Sequence, residues 1–159
     1  MAQKSKIIFF LLIVFFTISL NSCKKSKYDV VPDVYVDFYL NLNDIVFKDL
    51  AAISNYVILT SQTQSSGILG RSVGYANNGI IVYRSTLDEF NAYDRTCPYD
   101  FVTNAVSVKV NVDGFNAVCP QCSTKYALYG MGTPTSGPGR YPLKNYKTNF
   151  DGQYIHIWH

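Results

Sequence analysis

The sequence is poor in charged residues. Asp, Glu, Lys and Arg make up only 16% of its 159 residues, and no cluster of Lys and Arg provides the basic patch that nucleic-acid binding needs. No Ser–His–Asp set, paired-carboxylate site or phosphate-cradling glycine loop is evident, and Gly130-Met131-Gly132 follows no long strand and opens no helix. We therefore expect no nucleic-acid partner, and nothing in the sequence supports an enzyme that performs hydrolysis or group transfer.

A hydrophobic run long enough to span a membrane is missing as well. Ile7 to Leu20 is almost unbroken in apolar residues, but about 14 residues are too few for a typical membrane span. The run follows Lys4 and Lys6 and ends at Leu20-Asn21-Ser22-Cys23, which resembles the signal peptide and lipobox of a bacterial lipoprotein. The resemblance implies that Cys23 is acylated and becomes the new N-terminus. A transmembrane anchor with an incidental Cys23 is the alternative.

The expected organisation is a signal peptide over residues 1–22, a lipidated cysteine with its tether over 23–33, and one domain over 34–159. From Cys23 onward the chain has 12 basic and 11 acidic side chains, so it is close to neutral. No twin arginine precedes the apolar run, and we therefore expect export of the unfolded chain through the general route. The expected location is a membrane of the bacterial cell envelope, with the domain facing the periplasm or the cell surface.

Short segments of alternating character predict strands along the rest of the chain. Val34 to Leu42 alternates like a half-buried strand, and Ala105 to Val112 does so strictly, with four valines predicted to face inward. Asp113-Gly114 predicts a hairpin turn, whereas the Pro/Gly-rich stretch from Thr133 to Pro142 is expected to contain no regular structure. Asp44 to Ile53 is expected to form a helical turn or two. Further strands are predicted at residues 56–59, 79–84, 90–94, 115–118, 125–128, 145–150 and 154–158. Together these patterns predict an all-β sandwich or barrel.

Two short cysteine motifs are the most informative feature of the chain, Cys97-Pro98-Tyr99-Asp100 and Cys119-Pro120-Gln121-Cys122. Each places a thiol in a Pro-containing turn. The second also spaces two thiols at positions i and i+3, which can grip one metal ion or one edge of an iron–sulfur cluster. With Cys23 acylated, three cysteines remain, an odd number for an oxidising compartment. The remaining thiols could form one disulfide plus a free thiol, or a shared set of metal ligands.

The order of elements from about residue 79 to residue 159 resembles the Rieske [2Fe–2S] domain family. Two cysteine loops are separated by a hairpin and are followed by a third loop, here Ser136-Gly137-Pro138-Gly139, and by a terminal hairpin. The resemblance implies a small β-sandwich or barrel with a cluster-binding subdomain made of the two cysteine loops and the Pro/Gly loop. It covers roughly the second half of the chain, and the earlier strands would complete the β structure.

The resemblance also implies roles for individual residues. Cys97 and Cys119 match the family's cysteine ligands, while Tyr99 and Cys122 fall at the positions of its two histidines. The hydroxyls that donate hydrogen bonds to the cluster correspond to Thr124 and Tyr126. A [2Fe–2S] cluster held by three thiolates and a phenolate would carry more negative charge than the Rieske type and have a lower potential.

Four states of this site are consistent with the sequence: an iron–sulfur cluster, a disulfide, a single metal ion and a pair of cysteines that exchanges disulfides. A [2Fe–2S] cluster would make the protein an electron carrier or a redox accessory subunit that docks to a redox partner protein. If the loops lie as in the family, a Cys97–Cys119 disulfide would stabilise a cluster-free structural or binding module by roughly 3 kcal/mol. A single metal ion would recruit Asp100 or Tyr99 as its fourth ligand. Finally, the pair Cys119 and Cys122 could exchange disulfides.

Overall fold

The computed structural model describes residues 29–159, so the predicted signal peptide, the acylation of Cys23 and the first part of the tether lie outside the described residues. Strands dominate the described part, and the predicted all-β class is confirmed. No helix in residues 29–159 is long and apolar enough to cross a membrane. In chain order the elements are β1 (Asp37–Asn41), a 3-10 helix (Ile45–Ala51), β2 (Tyr56–Leu59), a 3-10 helix (Tyr75–Asn77), β3 (Ile80–Arg84), β4 (Phe90–Asp94), α1 (Pro98–Asn104), β5 (Asn111–Asp113), β6 (Asn116–Val118), β7 (Lys125–Ala127), a 3-10 helix (Leu128–Gly130), β8 (Thr133–Ser136), β9 (Asn145–Phe150) and β10 (Tyr154–Trp158).

The strands form two antiparallel sheets. The larger has six strands in the order β1-β10-β9-β4-β3-β2, and the smaller has four in the order β5-β6-β7-β8. The predicted alternation of the first strand is confirmed, since Phe38 and Leu40 are buried and lie opposite Ile157 and Ile155 of β10. The Asp113-Gly114 hairpin turn is also confirmed, with Gly114 at φ 57°, a value that glycine adopts readily.

Strand β3 lies between two hydrophobic cores. Successive side chains of a strand point to opposite faces, so Ile80 and Val82 pack into one core while Ile81 and Tyr83 pack into the other. All four are buried, which explains the continuous apolar run in this strand. The second core also contains the side chains of Cys97 and Cys119, so the candidate site is built into the packed interior beside the small sheet.

The strand predicted over Ala105 to Val112 is wrong for its first residues and correct at its end, where Asn111 and Val112 belong to β5. Helix α1 occupies residues just before it and ends where Ala105 adopts a left-handed backbone, at φ 54°. Of the four valines expected to face inward, Val110 is buried, Val108 and Val112 are half-buried and pack against the second core, and Val106 alone is exposed. The segment instead follows the first cysteine loop, to which Val108 O and Val110 N are hydrogen-bonded at 2.8 Å. The alternation thus predicts the inward face of Val108, Val110 and Val112 correctly, although backbone bonds to the first cysteine loop fix the segment before Asn111 and only its last residues join a sheet.

The prediction that Thr133 to Pro142 contains no regular structure is wrong for its first four residues. Thr133–Ser136 forms β8, which pairs with β7 at the edge of the small sheet. Pro134 is tolerated there because an edge strand does not need every backbone N–H for pairing. The remainder of the stretch, including Gly137-Pro138-Gly139, forms the predicted Pro/Gly loop.

The end of the predicted tether packs onto the domain. Val31 is 1% exposed, and the buried ammonium of Lys144 forms ion pairs with Asp29 and Asp33. Two carboxylates therefore compensate the buried ammonium group. The part of the chain that the structure describes is therefore packed onto the domain from Asp29 onward, close in sequence to the predicted acylation site.

Candidate metal centre

The first cysteine loop connects β4 to α1 and is fastened by backbone hydrogen bonds. Cys97 N donates to Val108 O at 2.8 Å, and Phe101 N donates to Cys97 O at 3.1 Å. Pro98 begins the helix, where its fixed φ is suitable and its missing N–H is not needed. Cys97 therefore precedes the helix, and Asp100 lies in the first helical turn beside it.

The second cysteine loop connects β6 to β7 by a tight turn. Cys119 N donates to Thr124 O at 2.9 Å, and Ser123 N donates to Cys119 O at 3.0 Å. Ser123 takes a positive φ of 60° to close the turn. The turn brings the sulfurs of Cys119 and Cys122 to the same side of the loop. Cys119 is buried, whereas Cys122 is half-buried.

The two loops bring three thiols and one carboxylate together. The sulfurs of Cys97, Cys119 and Cys122, here called the three-thiol centre, lie with a carboxylate oxygen of Asp100 within 4.8 Å of one another. Within this group, Cys97 Sγ and Cys122 Sγ are 3.6 Å apart, and the Cys119 thiol donates to Asp100 Oδ2 at 3.0 Å. All three thiols are free in the structure.

The Asp100 carboxylate is held in one orientation. Its Oδ1 accepts hydrogen bonds from Asn104 Nδ2 at 2.8 Å and from Gln121 Nε2 at 3.1 Å, which leaves Oδ2 directed to the thiols. The residue is fully buried. Burial alone would raise the pKa of Asp100, but its hydrogen bonds, with that from Cys119 first, outweigh burial and hold the pKa below its ordinary value. Asp100 is therefore a buried anion facing the sulfurs.

The thiols of Cys97 and Cys119 are protonated in the absence of a cation. Burial is the main cause that raises the pKa of Cys97 to about 11, and burial followed by the nearby Asp100 raises the pKa of Cys119 further. Backbone N–H groups oppose this effect, that of Asp100 at Cys97 and those of Gln121 and Cys122 at Cys119. The sulfurs thus have donors that would stabilise thiolates once a cation offsets the cost of burial.

Two hydroxyls complete the surroundings of the centre. Tyr126 Oη is 3.3 Å from Cys97 Sγ, and Thr124 Oγ1 is 3.2 Å from Cys122 Sγ. Burial, and then the contact with Cys97, raises the pKa of Tyr126, so its hydroxyl keeps its proton. Thr124 Oγ1 also accepts a hydrogen bond from Gly139 N at 3.0 Å, which ties the Pro/Gly loop to the second cysteine loop.

Most of the residues predicted from the sequence meet here. Cys97, Cys119, Cys122, Thr124 and Tyr126 surround one point, while Tyr99 is half-buried and packs against the same core. Sequence reasoning named Asp100 only as an alternative ligand and missed the amides that orient it. The position of Asn104 on α1, four residues after Asp100, was the available signal, because residues four apart share a helix face.

No family model matches the sequence, and no curated protein matches it. Among solved structures, the Sphingomonas yanoikuyae B1 ferredoxin aligns with 15% identity and a TM-score of 0.41 over 70% of this chain and 93% of that one. The ferredoxin of carbazole 1,9a-dioxygenase from Nocardioides aromaticivorans IC177 aligns with 14% identity and a TM-score of 0.43 over 79% and 98% of the two chains. Such values describe a distant likeness from which nothing follows about cofactor or partner. The layout itself, with two cysteine loops and a Pro/Gly loop beside a small sheet, is Rieske-like.

The residues present do not fit a Rieske cluster in its usual form. That cluster takes two imidazoles on one of its irons. His156 instead lies 2.8 Å from Asp37 and stacks on Tyr39, and His159 pairs with Asp33 at 3.1 Å. A cluster with two irons also needs one pair of ligands at each of its opposite ends. The three sulfurs and a carboxylate oxygen of Asp100 instead all lie within 4.8 Å of one another. The Rieske-like layout is present without the Rieske ligands.

Proposed function

We propose that this protein is a lipid-anchored redox module of the bacterial cell envelope, an electron carrier or an accessory subunit whose metal is held at the three-thiol centre. The observation that carries the proposal is the convergence of three thiols and a buried carboxylate from two loops that are far apart in sequence. Thiolates are ligands for zinc, iron and copper(I), and iron at a thiolate site cycles between two oxidation states.

The position of the centre suits exchange of electrons with a partner protein. Cys97 and Cys119 are buried, whereas Cys122 is half-buried and its neighbours Pro120 and Gln121 are exposed. A metal at this place would be shielded from bulk water and still lie just below the surface. We therefore propose the exposed loop tips around Cys122 as the face that meets a redox partner protein.

The test is analysis of the full-length protein purified without oxygen, in detergent, from the membranes of its own host. We expect bound iron, a visible absorption band that changes reversibly on oxidation and reduction, and loss of both in Cys97→Ser. Leu87→Ala, a change at an exposed side chain on the β3–β4 turn, serves as the matched control and should keep them. A protein without any metal, or with a metal that shows no redox change, would contradict the electron-carrier proposal.

A disulfide-stabilised structural or binding module is the second candidate, and one contact favours it. Cys97 Sγ and Cys122 Sγ are 3.6 Å apart, so oxidation by a thiol–disulfide exchange protein could link them and leave Cys119 as a thiol bonded to Asp100. The pairing expected from the resemblance is Cys97–Cys119. Peptide mapping under non-reducing conditions distinguishes these pairings, and a fully reduced protein would rule out both.

A further inference from the structure

We propose that the three cysteine sulfurs and Asp100 Oδ2 hold one divalent transition-metal ion in a tetrahedral site. This inference rests on the proposed function only in that the three-thiol centre binds metal. It departs from the cluster that the fold resemblance implies, and it makes Asp100 a metal ligand.

The spacing of the donor atoms is the first argument. A metal–sulfur bond of about 2.3 Å in a tetrahedron places two sulfurs about 3.8 Å apart. Cys97 Sγ and Cys122 Sγ are already 3.6 Å apart, and all four donor atoms lie within 4.8 Å. Shifts of an ångström or less at the side-chain tips would therefore place the four donors around a single ion.

The orientation of Asp100 is the second argument. Two amides, Asn104 and Gln121, bond to Oδ1, while Oδ2 points to the sulfurs. Ligating carboxylates are characteristically oriented by such hydrogen bonds on the oxygen that does not bind the metal. Asp100 lies in the first turn of α1, directly after the first cysteine loop, and Gln121 lies in the second loop, so the amide contact also links the two segments that supply the sulfurs.

The charge of the site is the third argument. A divalent ion held by three thiolates and one carboxylate would leave the site with a net charge of two minus. Hydrogen-bond donors for that charge are in place: the hydroxyls of Thr124 and Tyr126 near Cys122 and Cys97, and backbone N–H groups at Cys97 and Cys119. Because Thr124 Oγ1 already accepts from Gly139 N, its own proton is available for the Cys122 thiolate.

Fe²⁺ and Zn²⁺ both suit such a set of donors. Thiolates bind iron and zinc, and one carboxylate oxygen is compatible with tetrahedral zinc. Iron would give the redox activity of the proposed function by losing one electron to a partner with the four ligands unchanged. Zinc would give a structural site that links the two cysteine loops.

Metal and sulfide analysis of the full-length protein separates the alternatives. The inference predicts one metal ion per chain and no acid-labile sulfide. Two irons with two sulfides would overturn it while leaving the electron-carrier proposal intact. One zinc without sulfide would support it and contradict the electron carrier, and a protein that binds no metal would overturn both.

Cobalt tests the ligands of the same protein after its metal has been removed. Titration with Co²⁺ under reducing conditions should give intense tetrahedral d–d bands and thiolate-to-cobalt charge transfer at one equivalent. Asp100→Asn should weaken Co²⁺ binding by about tenfold or more and change the d–d bands, because an amide is a poorer ligand than a carboxylate. Asp113→Asn, at an exposed carboxylate in β5, is the matched control and should change neither.

Tyr99→Phe tests the competing fourth ligand. If Asp100 is the fourth ligand, the cobalt affinity and the spectrum of Tyr99→Phe equal those of the unsubstituted protein. If Tyr99→Phe weakens binding and Asp100→Asn does not, the fourth ligand is the phenolate and the inference is wrong. Circular dichroism of each variant, and Asp100→Glu as a variant that keeps the carboxylate, separate loss of a ligand from loss of the fold. If Asp100 is a ligand, Asp100→Glu should bind Co²⁺ more tightly than Asp100→Asn and should give a shifted spectrum.

Discussion

Gly139 and Thr124 are in contact in a way that allows no side chain on the glycine. Gly139 N donates to Thr124 Oγ1 at 3.0 Å, and a Cβ built on Gly139 would lie 2.4 Å from Thr124 Cγ2. The Pro/Gly loop therefore closes onto the second cysteine loop with glycine at the point of closest approach. Thr124 in turn contacts Cys122, so the fit of this loop reaches the three-thiol centre.

We expect Gly139→Ala to destabilise the protein by about 1–3 kcal/mol, the usual cost of forcing a methyl group into a packed interior. The free energy of unfolding in urea measures it. Thr124→Ser removes the clashing methyl and keeps the hydroxyl, so the double variant should recover most of the loss. Equal destabilisation by Gly139→Ala in both backgrounds would show that the close approach to Thr124 Cγ2 is not the cause.

A second prediction concerns the buried hydrogen bond between Tyr146 and Asp94. Tyr146 Oη donates to Asp94 Oδ2 at 2.6 Å, and the same carboxylate accepts from Tyr75 N at 2.6 Å and from Thr96 N at 2.8 Å. Asp94 thereby holds in place the backbone segment that leads to Cys97. Tyr146→Phe leaves a buried carboxylate with one donor fewer and should cost about 1.5–3 kcal/mol in thermal or urea unfolding.

Tyr129→Phe is the matched control for Tyr146→Phe. Tyr129 is 65% exposed, so removal of its hydroxyl should change the stability by less than about 0.5 kcal/mol. If both variants unfold at the same urea concentration as the unsubstituted protein, the Asp94 carboxylate must find another donor, and its role in fixing the first cysteine loop would need revision.

The third prediction is a loss of stability of the metal-free, reduced protein at high pH. Burial is the main cause that raises the pKa of Cys97 to about 11, above the ordinary thiol value of about 8.5. The folded state therefore holds this proton more tightly than the unfolded chain. The resulting stability is complete below about pH 8.5 and is lost as the pH rises through about 11.

Tyrosines and lysines titrate in the same range, so the informative quantity is a difference between two proteins. Between pH 7.5 and 10.5 the unsubstituted protein should lose on the order of 2 kcal/mol more than Cys97→Ser, which has no proton to lose there. Urea unfolding with a chelator and a reductant at both pH values measures the difference. Identical losses in the two proteins would mean that the Cys97 proton is not held by burial.

Much of the fold could be predicted because its signals are local. The terminal hairpin, Asn145–Phe150 and Tyr154–Trp158, and the strand Tyr56–Leu59 have the predicted bounds, since each is bordered by turn residues. The alternation from Ala105 to Val112 indicated that Val108, Val110 and Val112 face the core, but not the path of the backbone, which is fixed by hydrogen bonds to the first cysteine loop. Thr133–Ser136 was missed because turn residues dominate a segment whose edge position allows a strand.

The same limit applies to the candidate site. The thiols and hydroxyls follow from short motifs, since Cys119, Cys122, Thr124 and Tyr126 lie within one turn and the strand after it. The orientation of Asp100 does not follow from any motif, because one of its two amide donors, Gln121, comes from the other cysteine loop. Which oxygen faces the sulfurs is a property of the tertiary structure alone.

The fourth prediction concerns the membrane anchor, which follows from Leu20 to Cys23 in the sequence. Cys23→Ala should leave an unprocessed precursor that takes up no labelled fatty acid, whereas the unsubstituted protein should be labelled and remain with the membrane fraction. Only six residue steps separate Cys23 from Asp29, which is paired with Lys144, so a lipid there would keep the domain within about 20 Å of the bilayer surface. An unlabelled protein that is released in soluble form would refute the anchor and, with it, the proposed action next to a membrane.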